Sequence, residues 1–212
     1  PNLVKTGYVD AAGQLIESSE TTPDVSGAIA SQVQPANSTT RPAILIPFSV
    51  GVANTFHSKN FTYGYFAIRS KNPSGPATWP AWWLTGKNNW PPEIDIFEMY
   101  GGATGKGVHT QTMTIHTGKV ETHTKQMLMK KFRLKADTDT AFHIYACLWT
   151  PKRIEFYTDN VRVKSVKLNK WMRQFYQEPM YLILNNALEN KYLPNLVSSG
   201  NATSDFQVDW VQ

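Results

Sequence analysis

The stretch Trp90–Tyr100, WPPEIDIFEMY, places three acidic residues inside an apolar and aromatic run. If this stretch forms a strand, Glu93 and Asp95 share one face and the residues between and after them enter the core, because side chains alternate along a strand. Strict alternation would also send Glu98 into the core, where an unpaired carboxylate is costly. One extra residue near Phe97, a β-bulge, returns Glu98 to the face of the other two acids. The stretch therefore predicts a bulged strand that carries three carboxylates on one face.

Segments before and after this stretch show the same period-two alternation, with β-branched and aromatic enrichment. They are Phe61–Ser70, His109–Thr117, Phe142–Trp149, Ile154–Thr158, Val161–Leu168, Met180–Leu188 and Phe206–Val211. Turn residues separate them, and only Lys170–Gln177, with Trp171 and Phe175 four apart, predicts a helical turn. Many short strands without helices between them predict an all-β fold, an antiparallel sandwich or barrel.

The composition bounds the class of protein. A chain of 212 residues favours a single domain over residues 1–212, and 41% hydrophobic with 17% charged residues excludes intrinsic disorder. No apolar span reaches the 18 residues of a membrane helix, which predicts a soluble protein that does not contact a membrane. Cys147 is the single cysteine, so the chain has no internal disulfide.

The positive charge is concentrated in one segment. The whole chain carries a net charge of +5, whereas Lys119–Arg173 has 13 Lys/Arg against 5 Asp/Glu, a net charge of +8. Such a segment suits an anionic polymer, and it equally suits a solvated strand face whose lysines protect a sheet edge. The sequence alone leaves both interpretations open.

Three crowded carboxylates carry a chemical consequence. They cannot all ionise at their ordinary pKa, so one of them stays protonated near neutral pH. A protonated acid beside an ionised carboxylate is the arrangement that glycoside hydrolysis requires. The 7 Trp, 9 Tyr and 10 Phe favour this interpretation, because sugar rings stack on aromatic faces. A cation site and a solvent-facing strand with chance acids remain alternatives.

The quoted motif and its surroundings resemble family 16 of the glycoside hydrolases, especially the laminarinase-like endo-β-1,3-glucanases. EIDIFE fits the Glu-x-Asp-x-x-Glu signature of that family, and the resemblance runs from about Gly13 to Val211. It is carried by FTYGYFAIRSK, WPAWWL, MTIH, FHIYACLWTPKRIEFYTDN, MYLILN and FQVDWV. The resemblance implies a β-jelly-roll sandwich of two curved antiparallel sheets, like concanavalin A, with an open concave substrate cleft.

The resemblance also implies catalytic roles. Glu93 corresponds to the nucleophile and Glu98 to the general acid/base of a retaining endo-glycosidase. Asp95 corresponds to the residue that hydrogen-bonds and tunes Glu93, its charge helping to keep Glu98 protonated. No cofactor is required for this chemistry.

Substrate and metal contacts follow from the same resemblance. The candidate sugar-contacting residues are Trp79, Trp83, Trp90, His116, Arg69 and Asn185. Trp82 and Trp83 are adjacent, so one of them is expected in the core. Family members often bind a structural calcium ion, through a carbonyl that matches Gly13 and a carboxylate that matches Asp209.

Two competing classes of function remain at this stage. One is a polysaccharide-binding module on the same sandwich, although a pure binder has no reason to keep three crowded carboxylates at bulge spacing. The other is a metal-dependent hydrolase that uses the acids with His109 or His116, but it lacks a tight ligand spacing such as His-Glu-x-x-His.

The substrate prediction is a neutral polysaccharide. WPAWWL and MTIH are laminarinase-like, so we expect hydrolysis of laminarin or another β-1,3 or mixed β-1,3/1,4 glucan. The alternative is an endo-galactanase that acts on agar, porphyran or carrageenan. Since a polymer does not enter a cell intact, we expect a secreted or cell-surface monomer that binds no nucleic acid.

Overall fold

The computed structural model describes residues 5–9, 15–21, 50–118, 126–134, 137–199 and 205–212. Contacts divide the chain into two compact units, Pro1–Ala53 and Asn54–Gln212. The described part of the first unit contains an antiparallel hairpin of β1 (Lys5–Val9) and β2 (Leu15–Thr21). Strand β3 (Gly51–Asn54) crosses the boundary between the units. The single domain expected over residues 1–212 stays a prediction.

The described part of the second unit contains ten strands in two antiparallel sheets. In chain order they are β4 (Gly64–Lys71), β5 (Thr78–Gly86), β6 (Glu93–Glu98), β7 (Thr110–Thr117), β8 (Gln126–Arg133), β9 (His143–Trp149), β10 (Arg153–Thr158), β11 (Val161–Lys167), β12 (Met180–Leu188) and β13 (Gln207–Val211). Within this unit the first sheet has the order β12-β5-β6-β7-β8, and the second has the order β11-β10-β9-β4-β13. The all-β antiparallel architecture predicted from the alternation is therefore confirmed.

One hydrophobic core lies between the two sheets. The first sheet contributes residues such as Trp82 and Ile94, and the second contributes residues such as Trp149 and Phe156, all of them buried. The rings of Phe97 on β6 and Tyr145 on β9 meet at 4.7 Å between centroids. Because each strand gives alternate residues to this core, the remaining side chains of β5, β6, β7 and β12 line the outer face of the first sheet.

The predicted bulge is present on β6. On β5, Trp82 lies opposite Phe97 whereas Trp83 lies opposite Asp95, so β6 contains one residue more than its neighbour. The pairing of β6 with β7 shifts in the same interval, between Asp95 and Glu98. Ile96 and Phe97 both enter the core as consecutive residues. The bulge thereby restores Glu98 to the outer face, as the spacing predicted.

Helical structure in the described ranges is short. It consists of Lys106–His109, Lys170–Arg173, Asn190–Tyr192 and Leu193–Ser199. The helical turn predicted over Lys170–Gln177 is confirmed at its start, where Asn169 Oδ1 accepts a hydrogen bond from Met172 N at 2.9 Å. The helix Leu193–Ser199 was not predicted; Pro194 is compatible with it because a first-turn residue needs no backbone N–H donor. No helix in these ranges has the length and apolar character needed to cross a membrane.

Candidate active site

The three acids of the opening motif lie together on the outer face of the first sheet. Glu93 and Glu98 are half-buried and Asp95 is buried. Glu93 and Asp95 are two residues apart on β6, and the bulge adds Glu98 to the same face. The acid cluster, Glu93, Asp95 and Glu98, is therefore a product of strand alternation and one inserted residue.

His116 on β7 completes the polar centre of this cluster. It lies directly opposite Glu93 in the β6–β7 register. Its Nε2 atom is 3.0 Å from Asp95 Oδ2 and 3.2 Å from Glu93 Oε1. A proton on Nε2 can therefore be donated to either carboxylate, and the imidazole fixes the spacing between them. The MTIH segment was the sequence signal for this residue.

Glu93 is the acid whose pKa the surroundings raise. Burial raises the pKa of Glu93 from 4.5 to about 7, and the negative charge of Asp95 acts in the same direction. His116 and the indole of Trp90 act in the opposite direction, and Trp90 Nε1 donates to Glu93 Oε2 at 2.9 Å. Asp95 was expected to tune Glu93, and its charge does raise the pKa of that residue. Its expected effect on the protonation of Glu98 stays a prediction.

Glu98 is held by two donors from neighbouring residues. Tyr100 Oη donates to Glu98 Oε1 at 2.7 Å, and Trp79 Nε1 donates to the same oxygen at 3.2 Å. Sequence reasoning missed Tyr100. Its spacing of two from Glu98 was the available signal, since residues two apart on an extended segment share a face.

The aromatic candidates flank the acids. Trp83 lies on the outer face while Trp82 is fully buried, which is the division expected for this pair. Trp83 Nε1 donates to Asn185 Oδ1 at 2.8 Å, so Asn185 on β12 is brought to the same face. A pocket of about 490 Å³ opens beside Glu93, with Trp83, Trp90 and Tyr181 in its wall. Tyr181 was also missed, and its spacing of four from Asn185 on the same strand was the available signal.

Arg69 is not brought to the acid cluster. It lies on β4 in the second sheet, where its guanidinium stacks on Phe142 at 4.7 Å and forms an ion pair with Asp209. That ion pair also bears on the expected calcium site. A guanidinium neutralises the carboxylate of Asp209 and repels a cation, so this residue does not fit calcium coordination as it stands. Gly13, the other expected ligand, lies outside the described residues.

A metal interpretation of the acid cluster has a partial geometric basis. Within the described ranges, one set of three or more candidate ligands is close enough for a metal ion: Glu93, Asp95 and His116, with ligand atoms within 4.8 Å of one another. The hydrogen bond of His116 Nε2 with Asp95 and its ion-pair contact with Glu93 account for this proximity without a metal. His109, the other imidazole considered, pairs with Asp137 at 3.6 Å instead.

Comparison with known proteins places this arrangement in a family. The family model described as glycosyl hydrolases family 16 matches residues 30–212. An endo-1,3-1,4-beta-glycanase of Rhizobium meliloti is 34% identical over 143 residues, covering 66% of this chain and 28% of its own length. A keratan-sulfate endo-1,4-beta-galactosidase of Sphingobacterium multivorum is 27% identical over 180 residues, covering 79% of this chain and 40% of its own length. The chain thus spans well under half of these two relatives.

The fold comparison agrees with the family match. The crystal structure of a laminarinase from a Flavobacterium species superimposes with a TM-score of 0.61 at 29% identity, covering 76% of this chain and 70% of the other. The two-sheet jelly roll implied by the resemblance is confirmed by this likeness. The family model spans the bulged strand, the acid cluster and the strands around them, and on these grounds the chain belongs to family 16 of the glycosyl hydrolases.

Proposed function

We propose that this chain is a retaining endo-glycanase that hydrolyses β-1,3 or mixed β-1,3/1,4 glucans. The observation that carries the proposal is the bulge on β6, which puts Glu98 on the face of Glu93 and Asp95. A strand without the extra residue would bury Glu98, and an acid pair on one face would be lost. The bulge therefore has a chemical purpose that a simple binding surface does not require.

The proposed reaction has two steps. Glu93 attacks the anomeric carbon while Glu98 donates its proton to the glycosidic oxygen, so that the C–O bond breaks and a glycosyl ester forms on Glu93. Glu98 then takes a proton from water, and the resulting hydroxide displaces Glu93 from the anomeric carbon. Two inversions at one carbon give net retention of configuration.

The surroundings of Glu93 suit the nucleophilic role. Its pKa of about 7 means that a substantial fraction is ionised at neutral pH, and the ionised fraction remains basic enough to attack. His116 and Trp90 each direct a donor at its carboxylate, which orients the attacking group. Asp95 Oδ2 lies 3.0 Å from the same nitrogen of His116, Nε2.

The outer face also suits a neutral sugar chain. Trp79, Trp83, Trp90 and Tyr181 present aromatic surface around the acids, and stacking on such surface requires no charge on the sugar. The name of the Rhizobium relative refers to a 1,3-1,4-β-glycan, which agrees with this substrate class. Secretion and a monomeric state remain predictions.

The test is a panel of polysaccharides with product sizing. We expect laminarin and mixed-linkage β-glucan to be cut into oligosaccharides of several sizes, and proton NMR to show the β-anomer as the first product. Agarose, porphyran, carrageenan and keratan sulfate form the second arm. Cleavage confined to that arm would replace the glucan assignment by a galactan assignment, and an α-anomeric first product would contradict retention.

A further inference from the structure

Both donors that hold Glu98 reach the same oxygen. Tyr100 Oη lies 2.7 Å and Trp79 Nε1 lies 3.2 Å from Oε1. A carboxyl oxygen has two lone pairs, so these two hydrogen bonds occupy the accepting capacity of Oε1. Both hydrogen bonds thus end on Oε1, and neither of these two donors contacts the second carboxyl oxygen, Oε2. The two oxygens of Glu98 are therefore chemically different.

The donor from Tyr100 is a neutral phenol. Burial and the hydrogen bond to Glu98 raise the pKa of Tyr100 above its ordinary range, so the phenol keeps its proton at neutral pH. A proton on Oε1 would then face the proton of the Tyr100 hydroxyl. Protonation of Oε1 therefore requires that one of its two hydrogen bonds be lost, or that the Tyr100 hydroxyl turn so that it accepts instead of donating.

The two donors form one packed unit. The rings of Tyr100 and Trp79 lie 5.0 Å apart at 34° to one another. The backbone holds them together, since Gly101 N donates to Thr78 O at 2.7 Å and Met99 N donates to Pro80 O at 3.1 Å. Tyr100 therefore cannot turn away from Glu98 without disturbing the start of β5.

We propose that Tyr100 is a positioning residue which, with Trp79, reserves Oε2 of Glu98 for the proton that is transferred in catalysis. The inference rests on the proposed function, in which Glu98 is the general acid. In the first step the proton passes from Oε2 to the glycosidic oxygen as the C–O bond breaks. In the second step Oε2 accepts a proton from the attacking water. Without Tyr100 the proton divides between two oxygens, of which one faces away from the substrate bond.

The experiment compares two leaving groups on Tyr100→Phe. One substrate is a β-glucan oligosaccharide, whose sugar leaving group needs protonation. The other is the 2,4-dinitrophenyl glycoside of the same oligosaccharide, whose leaving group departs without a proton. The quantity is kcat/KM, because it reports on steps up to formation of the glycosyl-enzyme. We expect kcat/KM on the oligosaccharide to fall about 10-fold or more, with a change of less than about 2-fold on the aryl glycoside.

The chain contains a matched control. Tyr157 Oη donates to Glu155 Oε2 at 2.8 Å, again across two residues, but on β10 of the second sheet. Tyr157→Phe removes the same kind of hydrogen bond away from the acid cluster and should leave both kcat/KM values unchanged. If Tyr100→Phe does not fold, Trp79→Phe removes the other donor, and the same selective loss is expected from it.

The outcomes separate the inference from the proposed function. An equal loss of kcat/KM on both substrates, or no loss on either, would overturn the role of Tyr100 while the wild-type enzyme remains a glycanase. Glu98→Gln is the reference variant. It should lower kcat/KM on the oligosaccharide far more than Tyr100→Phe does, again with little change on the aryl glycoside. If Glu98→Gln lowers both values equally, or if the wild-type chain cleaves neither substrate, the proposed function itself fails.

Discussion

Glu93 combines a raised pKa with contacts to three different side chains. Its carboxylate meets His116 at 3.2 Å and Trp90 at 2.9 Å, and Asp95 adds a negative charge beside it. Its side chain is 14% exposed, so water screens these interactions only weakly. Two predictions follow from this combination of burial and charge.

Replacing Glu93 by Gln should abolish hydrolysis and stabilise the fold at alkaline pH. The pKa of Glu93 is raised from 4.5 to about 7 on folding, so folded-state stability falls as pH rises between these values. Gln has no ionisable proton, so the free energy of unfolding of the variant does not fall with pH in this way. At pH 8 the variant should therefore be more stable, by on the order of 1–3 kcal/mol, with no difference near pH 4. Chemical denaturation at the two pH values is the measurement, and an equal difference at both would exclude the linkage.

The acidic limb of kcat/KM should lie near pH 7 and should respond to the neighbours of Glu93. Attack requires ionised Glu93, so activity rises as pH passes through its pKa of about 7. Asp95→Asn removes a charge that raises this pKa, so the limb should move to lower pH, with a greater effect on kcat than on KM. His116→Gln should move the limb to higher pH. Asp137→Asn is an exposed control. If the acidic limb stays at the same pH in both Asp95→Asn and His116→Gln, the assignment of Glu93 as the nucleophile is contradicted.

The loop between β5 and β6 carries Trp90 to the acid cluster. Glu178, far away in sequence, accepts hydrogen bonds from Asn88 N at 2.9 Å and from Asn89 N at 3.1 Å. The loop begins at Gly86, where a Cβ atom would lie 2.2 Å from the Asn89 carbonyl oxygen, so no other residue fits this conformation. The carboxylate of Glu178 and the glycine thus contribute to the loop conformation, together with backbone hydrogen bonds such as that from Lys87 N to Pro179 O at 2.8 Å.

Glu178→Ala should release this loop and weaken the hydrogen bond from Trp90 to Glu93. Because that bond lowers the pKa of Glu93, the acidic limb should move to higher pH, and kcat/KM should fall about 3- to 10-fold. Glu178→Gln keeps an accepting oxygen and is the matched control, expected to stay close to wild type. Pre-steady-state and pH-rate measurements distinguish the two variants. Equal behaviour of Ala and Gln would show that the carboxylate does not position the loop.

The described strands of the basic segment Lys119–Arg173 are divided between the two sheets. Lys164 and Lys167 lie on β11, which is an edge strand of the second sheet, whereas the acids lie on the outer face of the first sheet. The core lies between these sheets, so their outer faces point in opposite directions. The core therefore separates β11 from the acid cluster, whereas β8 pairs with β7 in the sheet that carries the acids.

Because a neutral glucan carries no charge, activity on it should depend weakly on salt. Between 20 mM and 500 mM NaCl the Debye length falls several-fold, and we expect less than about a 2-fold change in kcat/KM on laminarin. The double variant Lys164→Ala/Lys167→Ala should show the same salt profile as the wild type. A steep fall in activity with salt, abolished in the double variant, would indicate that these lysines bind the substrate.

Local sequence determined the acid cluster and most of the strands around it, because alternation and spacing are short-range properties of a strand. It did not identify β1, β2, β3 or β8. The bulge followed from the cost of burying Glu98, and the division between Trp82 and Trp83 followed from alternation alone. Only the tertiary structure decided which acid has the raised pKa, because burial and long-range charge depend on packing. It also paired Arg69 with Asp209, residues 140 apart in sequence, and joined Glu178 to a loop 89 residues away. Such contacts have no local pattern, since the chain between the partners leaves their distance free until the sheets have packed.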